Sequence, residues 1–456
     1  MSVPTMVVGA AQSGAGKTTA TMALIMGLRR RGLRVQPFKV GPDYLDPQLL
    51  SWAAGRPCRN LDSWMLAPVH LLELFHHACR GADVAVVEGV MGLFDGKSGD
   101  SDEASTAAVA RLLDAPVILI LDAARASRTV GAVGLGLSRA DRRLNVVGAL
   151  LNRVASVRHR DACVEGLEAV GVPCLGHVFR GEALVLPDRY LGLLSPAETE
   201  PRRGLRRALE KAAAGLDLDE LLRAARVPPR PAARPELFPA DRLPVRARIA
   251  IARDRAFHFY YQDCLDLLEA WGAELVPFSP LESPALPAGA GGVYLGGGYP
   301  ELFAAELAAN SSLIADLRRA NRRGVLVYAE CGGAMYVARA IEDAEGRRHR
   351  MAGLWPVTVS LRQRRLTVGY RRVRACAPSF LARGRMGGPE LPAHEFHYSH
   401  LHRHSGRGQA AWLVLDQGDR REGYATPHLT ASYIHLHLGS RPGLAASFAD
   451  ACKPAS

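Results

Sequence analysis

Lysine is nearly missing from this chain of 456 residues. Of its 57 basic residues only Lys17, Lys39, Lys97, Lys211 and Lys453 are lysines, and the rest are arginine. In such a chain a lysine marks a place where a compact point charge serves better than a planar fork. No CxxC pair occurs among the 8 cysteines, so zinc and iron–sulfur centres have little support. No apolar run approaches the ~20 residues that span a bilayer. Met1-Ser2-Val3-Pro4 carries no basic leader, so a cytoplasmic protein without disulfides is expected. The net charge of +12 invites a nucleic-acid reading, but the arginines are spread along the chain rather than gathered in a stripe. Anionic small molecules are the better partners. At 48% hydrophobic and 22% charged residues the chain can fill real cores, which excludes wholesale disorder. Its length suggests more than one domain.

Short apolar runs alternate with helical stretches from Met6 to about Arg226, the pattern of an α/β protein with a largely parallel sheet. Strands are predicted at Met6–Gly9, Val35–Val40, Asp83–Glu88, Val117–Leu121 and Val146–Leu151, and a last helix at Gly204–Arg226. Residues 227–243 carry Pro228, Pro229, Pro231, Pro235 and Pro239, too many for a helix or central strand, and read as a linker. From residue 244 to 456 α/β text restarts. Strands are predicted at Arg248–Ala252, Ala273–Pro277, Gly292–Leu295 and Gly324–Ala329, and β-rich text follows Met351.

The first chemical site is Ala11-Gln12-Ser13-Gly14-Ala15-Gly16-Lys17-Thr18, a phosphate loop with alanine in place of its first glycine. It follows a predicted strand and opens a predicted helix. Its amides and the helix N-terminus suit ATP phosphates, Lys17 reaches the β/γ-phosphates, and Thr18 faces Mg²⁺. A second rare lysine, Lys39, ends a strand before Asp43 and Asp46, and Glu88 ends another. Ligands bind at that edge of open α/β sheets, so Thr18, Glu88 and one or both aspartates can surround magnesium and the γ-phosphate. Turn capping is the plainer role for each aspartate.

The second site is Val325-Leu326-Val327-Tyr328-Ala329-Glu330-Cys331-Gly332-Gly333-Ala334-Met335: strand, cysteine, small residues, helix. Glycines allow the sharp turn of a nucleophile elbow, and the helix N-terminus is expected to stabilise a thiolate. Gly296-Gly297-Gly298 follows another strand and can offer amides to an oxyanion. Ser432-Tyr433-Ile434-His435-Leu436-His437 places two histidines on one side of a late strand as candidate bases.

Together these motifs resemble the cobyrinate a,c-diamide synthases of corrin biosynthesis over almost the whole chain. The resemblance is carried by the phosphate loop, VQPFKVGPDYLDP, RNLDSWML from Arg59, EGVMGLFDG from Glu88, LLNRV around Asn152 and LPDRYLGLL from Leu186. In the second half it is carried by GGGYPE, YAECGGAMYV, HEFHYS from His394 and ASYIHLH. The resemblance implies a dethiobiotin-synthetase-like ATPase domain fused to a flavodoxin-like class I glutamine amidotransferase domain. It implies ATP-dependent, glutamine-hydrolysing amidation of the a- and c-acetate carboxylates of cobyrinate through an acyl phosphate, with Mg²⁺.

The resemblance also assigns roles. Gly14, Gly16, Lys17, Thr18, Thr19 and Asn152 bind ATP, Asn152 at the adenine. Lys39, Asp43 and Asp46 meet the accepting carboxylate and phosphate, and Thr18, Glu88 and Asp43 hold the metal. Cys331 and His435 are catalytic, with Gly297, Gly298 and Gly332 at the oxyanion. The wider amidotransferase pattern His-x-Glu becomes His435-Leu436-His437, so a Cys–His dyad is expected. His394, Glu395 and His397 form a polar cluster without an assigned role. The partners are cobyrinate, L-glutamine and ATP; a homodimer is open, and neither nucleic acid nor membrane is expected. The nearest alternative is the same reaction on metal-free hydrogenobyrinate, with a nickel ring more remote. A rival from another class, a partitioning-type ATPase switch, would carry a lysine where this chain has Ala11, and has no need of a cysteine elbow.

Overall fold

The structure, a computed structural model, describes residues 3–186, 188–189, 192–193, 203–229, 235–241, 243–363, 365–377, 388–403 and 409–453. Much of the motif starting at Leu186, and Pro231 of the predicted linker, lie outside the described residues. The chain divides into two compact units, Met1–Arg234 and Pro235–Ser456.

In the first unit seven strands are introduced in chain order: β1 (Thr5–Ala10), β2 (Val35–Val40), β3 (Arg59–Leu61), β4 (Val84–Glu88), β5 (Val117–Asp122), β6 (Val146–Val154) and β7 (Cys174–Phe179). They form one parallel sheet in the order β3-β2-β4-β1-β5-β6-β7. The central strands are nearly continuous apolar text because helices cover both faces of a parallel sheet. Every residue of β1, Thr-Met-Val-Val-Gly-Ala, is buried. Helix α1 (Lys17–Arg30) leaves the C-terminal end of β1 through the glycine loop. The strand order reverses at β1, whose neighbours are β4 and β5, and this puts a crevice at the carboxyl ends of those strands.

The predicted helix Gly204–Arg226 is instead two helices, Arg203–Ala213 and Leu218–Ala224. The break has a local cause. The Gly215 carbonyl accepts from the His177 amide of β7 at 2.9 Å, the Asp217 amide donates to the Leu175 carbonyl at 2.9 Å, and the Asp217 side chain caps the second helix through the Glu220 amide.

The second unit is built on a six-stranded sheet. Its order is Ala273–Phe278, Ala247–Ala252, Gly292–Leu295, Leu326–Glu330, Leu429–Ser432 and Tyr424–Thr426, with only the last strand antiparallel. The β-rich text beyond Met351 supplies a five-stranded antiparallel sheet: Arg420–Glu422, Trp412–Val414, Thr367–Ala375, Leu391–His397 and Ile434–Leu436. Its last pairing sets His394 directly opposite His435. Among the described residues no helix is long and apolar enough to cross a membrane.

Candidate active sites

The first site grows from the end of β1. Gly16 takes φ 86° and ψ 30° at the start of α1, and no side chain caps the helix, so its first amides face outward for a ligand. A β-carbon at Gly16 would stand 2.0 Å from Asn152 Nδ2, so only glycine fits. Gly14 has φ 75° and lies at the exposed tip of the loop. Asn152, buried at the end of β6, donates to the Ala15 carbonyl at 2.9 Å and braces the loop from below. The Thr19 hydroxyl donates to the Leu184 carbonyl at 3.5 Å. Lys17 donates to the carbonyls of Gln12 and Met91. Burial, aided by the nearby charge of Lys39, lowers its ammonium pKa to about 8.

Beside it lies a buried knot of charge. Lys39 Nζ, 3% exposed, donates to Asp46 Oδ2 at 2.5 Å, Glu88 Oε1 at 2.8 Å and the Gly89 carbonyl at 3.1 Å, with Asp43 Oδ2 at 3.9 Å. Burial works against the Lys39 charge, but Asp46, Glu88 and Asp43 outweigh it and hold the ammonium above its ordinary value. Burial also opposes the Asp46 charge, and there Lys39 prevails and holds the carboxyl below its ordinary value. Glu88 is pushed up, mainly by burial. The two aspartates differ in task. Asp43 Oδ1 accepts the Leu45 amide at 2.8 Å, the turn-capping role, while its other oxygen faces Lys39. Asp46 opens the helix Asp46–Ala54 and faces Lys39 directly.

Thr18 Oγ1 donates to Glu88 Oε1 at 2.9 Å. Glu88 Oε2 is buried with no hydrogen-bond partner among the described residues, which leaves a hard oxygen for a cation. No three His, Cys, Asp or Glu side chains cage an ion by themselves among the described residues. Asn60 escaped the sequence reading as a site residue. Its carboxamide donates to the carbonyls of Gly41 at 2.9 Å and Asp43 at 2.7 Å, and so shapes the acidic loop. The only sequence signal was its place inside RNLDSWML.

In the second unit Cys331 sits between the strand Leu326–Glu330 and the helix Gly332–Val337, with φ 49° and ψ −105°. A non-glycine residue in that conformation carries backbone strain, the mark of a nucleophile elbow. A β-carbon at Gly332 would stand 2.9 Å from Gly298 N, so the glycine shelf lies against the turn with its amide beside it. A β-carbon at Gly297 would meet His435 Cε1 at 3.2 Å, which puts the imidazole at the same shelf. Gly298, with φ 155°, passes so close to the Ala256 carbonyl that no side chain fits. The structure thus brings Gly297, Gly298, Gly332 and His435 together around the elbow. Phe396, from HEFHYS, adds a backbone carbonyl 3.5 Å from Cys331 Sγ.

Burial works against the expected thiolate. Burial, with Glu301, Glu330 and Glu395 adding like charge, pushes the Cys331 thiol up to about 12, against which the Gly332 amide pulls. The following helix has six residues, too short for its dipole to outweigh burial. His435 is buried as well. Desolvation, followed by repulsion from His394 and His397, lowers its pKa to about 3, which favours the neutral ring.

The two histidines also part company. The strand carrying His435 ends at Leu436, and His437 caps the turn Leu438–Ser440, accepting the Gly439 amide on Nδ1 at 3.0 Å. Of the unassigned cluster, Glu395 and His397 belong to an ion network, whereas His394 makes no bond to it among the described residues. Glu395 accepts from Arg371 Nε at 2.7 Å, Arg420 Nη2 at 2.8 Å and His397 Nε2 at 3.3 Å. Burial opposes its charge, but these partners hold the carboxyl down to about 2. The His397 ring stacks on Tyr433 at 4.0 Å, which places the network beside the strand of His435.

Comparison with known proteins agrees with this division of labour. Residues 6–190 match the family described as CobQ/CobB/MinD/ParA nucleotide binding domain, and residues 248–443 match the CobB/CobQ-like glutamine amidotransferase domain. A cobyrinate a,c-diamide synthase of Dehalococcoides mccartyi is 41% identical over 461 residues, covering 98% of both chains. That of Syntrophotalea carbinolica is 43% identical over 469 residues, covering 99% of both. That of Salmonella typhimurium is 41% identical over 438 residues, covering 94% of both. An ATP-using nucleotide domain, a glutamine amidotransferase domain and relatives aligned nearly end to end lead to one assignment: the chain belongs to the cobyrinate a,c-diamide synthase family of ligases.

Proposed function

We propose that the chain amidates the a- and c-acetate carboxylates of cobyrinate, using ammonia released from glutamine and a carboxylate activated by ATP as an acyl phosphate. The observation that carries this reading is the pairing, in one chain, of a strained Cys331 elbow with a phosphate loop beside the Lys39 charge knot. In the second unit His435 takes the Cys331 proton as sulfur attacks the glutamine side-chain carbonyl. The oxyanion meets the amides of Gly298 and Gly332. His435 then returns the proton to the departing ammonia, and water hydrolyses the γ-glutamyl thioester.

In the first unit the amides of Gly14 and Gly16, together with Lys17, Thr18 and Thr19, take the phosphates, and Asn152 holds the loop and reads the adenine. Thr18, Glu88 and Asp43 would hold Mg²⁺, which supplies charge neutralisation on the phosphates. Lys39 with Asp43 and Asp46 orients the accepting carboxylate. A carboxylate is a poor electrophile; attack of its oxygen on the γ-phosphorus releases ADP and leaves a mixed anhydride. Ammonia then displaces phosphate from it. Two rounds give the diamide.

Asp46→Ala tests the arrangement of the first unit. It removes the closest anion to Lys39, so synthesis is expected to fall by about two to three orders of magnitude, the scale for losing one preorganised electrostatic contact. Glutamine hydrolysis, measured as glutamate release, should persist. Wild-type synthesis by this variant would return Asp46 to a helix-opening role.

A further inference from the structure

The strand Ile434–Leu436 lies at the edge of the antiparallel sheet, paired on one side with Leu391–His397. On its other side the Leu436 amide meets no strand. It donates instead to Glu330 Oε1 at 3.1 Å, across 106 residues of sequence. Glu330 is 2% exposed and immediately precedes Cys331. Its carboxylate also accepts Tyr328 Oη at 2.6 Å on Oε1 and Tyr294 Oη at 2.8 Å on Oε2. Among the described residues it has three hydrogen-bond donors and no cation. A buried acid without a counter-charge is costly unless its donors are well placed, and all three are fixed by strands.

One carboxylate therefore ties the residue before the nucleophile to the residue after the base. The usual carboxylate two positions beyond the base is replaced here by His437, whose Nδ1 is engaged by Gly439.

We propose that Glu330 is a positioning residue for glutamine hydrolysis: by accepting the Leu436 amide it sets His435 at a fixed distance from Cys331. This rests on the reading of Cys331 and His435 as the hydrolytic pair. Its role runs through the backbone of the base, by way of the Leu436 amide. Burial raises its pKa to about 7, against which the two tyrosines and the Leu436 amide pull. The acceptor oxygen, rather than full ionisation, is what the Leu436 amide requires.

Glutamine supplies that oxygen at the same reach and can donate its amide to the Tyr294 oxygen. Aspartate keeps the charge but is one methylene too short to hold Leu436 and both tyrosines. The experiment measures kcat and KM for glutamine hydrolysis in Glu330→Gln, Glu330→Asp and Cys331→Ala, with thermal unfolding of each. Glu330→Gln should stay within about threefold of the parent. Glu330→Asp should lose about a hundredfold in kcat with KM little changed, as expected when a misplacement of about an ångström separates reacting groups. Both should retain a cooperative unfolding transition. Parent-like kcat in Glu330→Asp, or an equal loss in both variants, would overturn the positioning role. Glutamine hydrolysis surviving in Cys331→Ala would instead overturn the dyad on which it rests, so the two failures are distinguishable.

Discussion

Cys331→Ala is expected to abolish glutamine-dependent amidation and leave ammonia-dependent amidation intact. No other thiol lies at the elbow, and alanine forms no thioester. The phosphate loop and the Lys39 knot belong to the other unit, so ammonia supplied as NH₃ at alkaline pH should still meet the activated carboxylate. His435→Ala should be nearly as severe. A thiol pushed up to about 12 has almost no thiolate near neutrality and depends on its base. The same values set the pH profile. His435, lowered to about 3, stays neutral and able to accept a proton far below the ordinary imidazole value. In the free enzyme kcat/KM for glutamine hydrolysis should therefore not decline as pH falls through ~6.5, where an unperturbed histidine would charge. His437→Ala should disturb the turn at Gly439 more than the chemistry. Loss of the ammonia reaction in Cys331→Ala, or an imidazole limb near neutrality in the profile, would refute this division.

Part of that site was legible before any coordinates, and the boundary is physical. Cys331, Gly332 and the glycines at 297 and 298 announce themselves because a tight turn needs small residues at adjacent positions. Lys17, Thr18 and Glu88 are legible for the same reason, as a short loop between strand and helix and an acid at a strand end. The burial of Cys331 was not legible, because distant chain supplies it. Nor was the Glu330–Leu436 contact, which joins residues 106 positions apart through a side chain and an edge strand. Asn60 was hidden similarly, since its carboxamide works on the backbone of a loop about twenty residues upstream. The helix break at Gly215 was missed because helical periodicity runs on either side of it, and a backbone pairing with β7 decides the matter.

Lys17→Ala should remove amidation with either nitrogen source, because both draw on the same activated carboxylate. The two lysines of the first unit are not equivalent. Lys39 already faces two carboxylates at hydrogen-bond distance, whereas among the described residues the hydrogen bonds of Lys17 go to carbonyls. An arriving triphosphate supplies the anion that Lys17 lacks. Losing it should cost at least about two orders of magnitude in synthesis, the scale for one preorganised contact to a transferring group. Lys17→Arg should fail nearly as badly, since a planar fork cannot replace a point charge inside a narrow loop. The pH dependence carries a definite sign. With its pKa lowered to about 8 in the free enzyme, Lys17 loses its proton as pH rises through that value, so KM for ATP should increase above it. Glutamine hydrolysis without nucleotide should survive both substitutions. Near-parent amidation by Lys17→Arg would contradict the phosphate role.

In the proposed reaction one chain activates a corrin carboxylate with ATP and amidates it with nitrogen from glutamine. The most direct test supplies cobyrinate labelled with heavy oxygen in its acetate carboxylates, together with ATP, Mg²⁺ and glutamine. Mass spectrometry then reads the phosphate and the corrin. A diamide is expected, with one labelled oxygen in each phosphate released, because the carboxylate oxygen that attacks phosphorus leaves with it. A diamide accompanied by unlabelled phosphate, or ATP hydrolysis with no amide formed, would contradict that reaction.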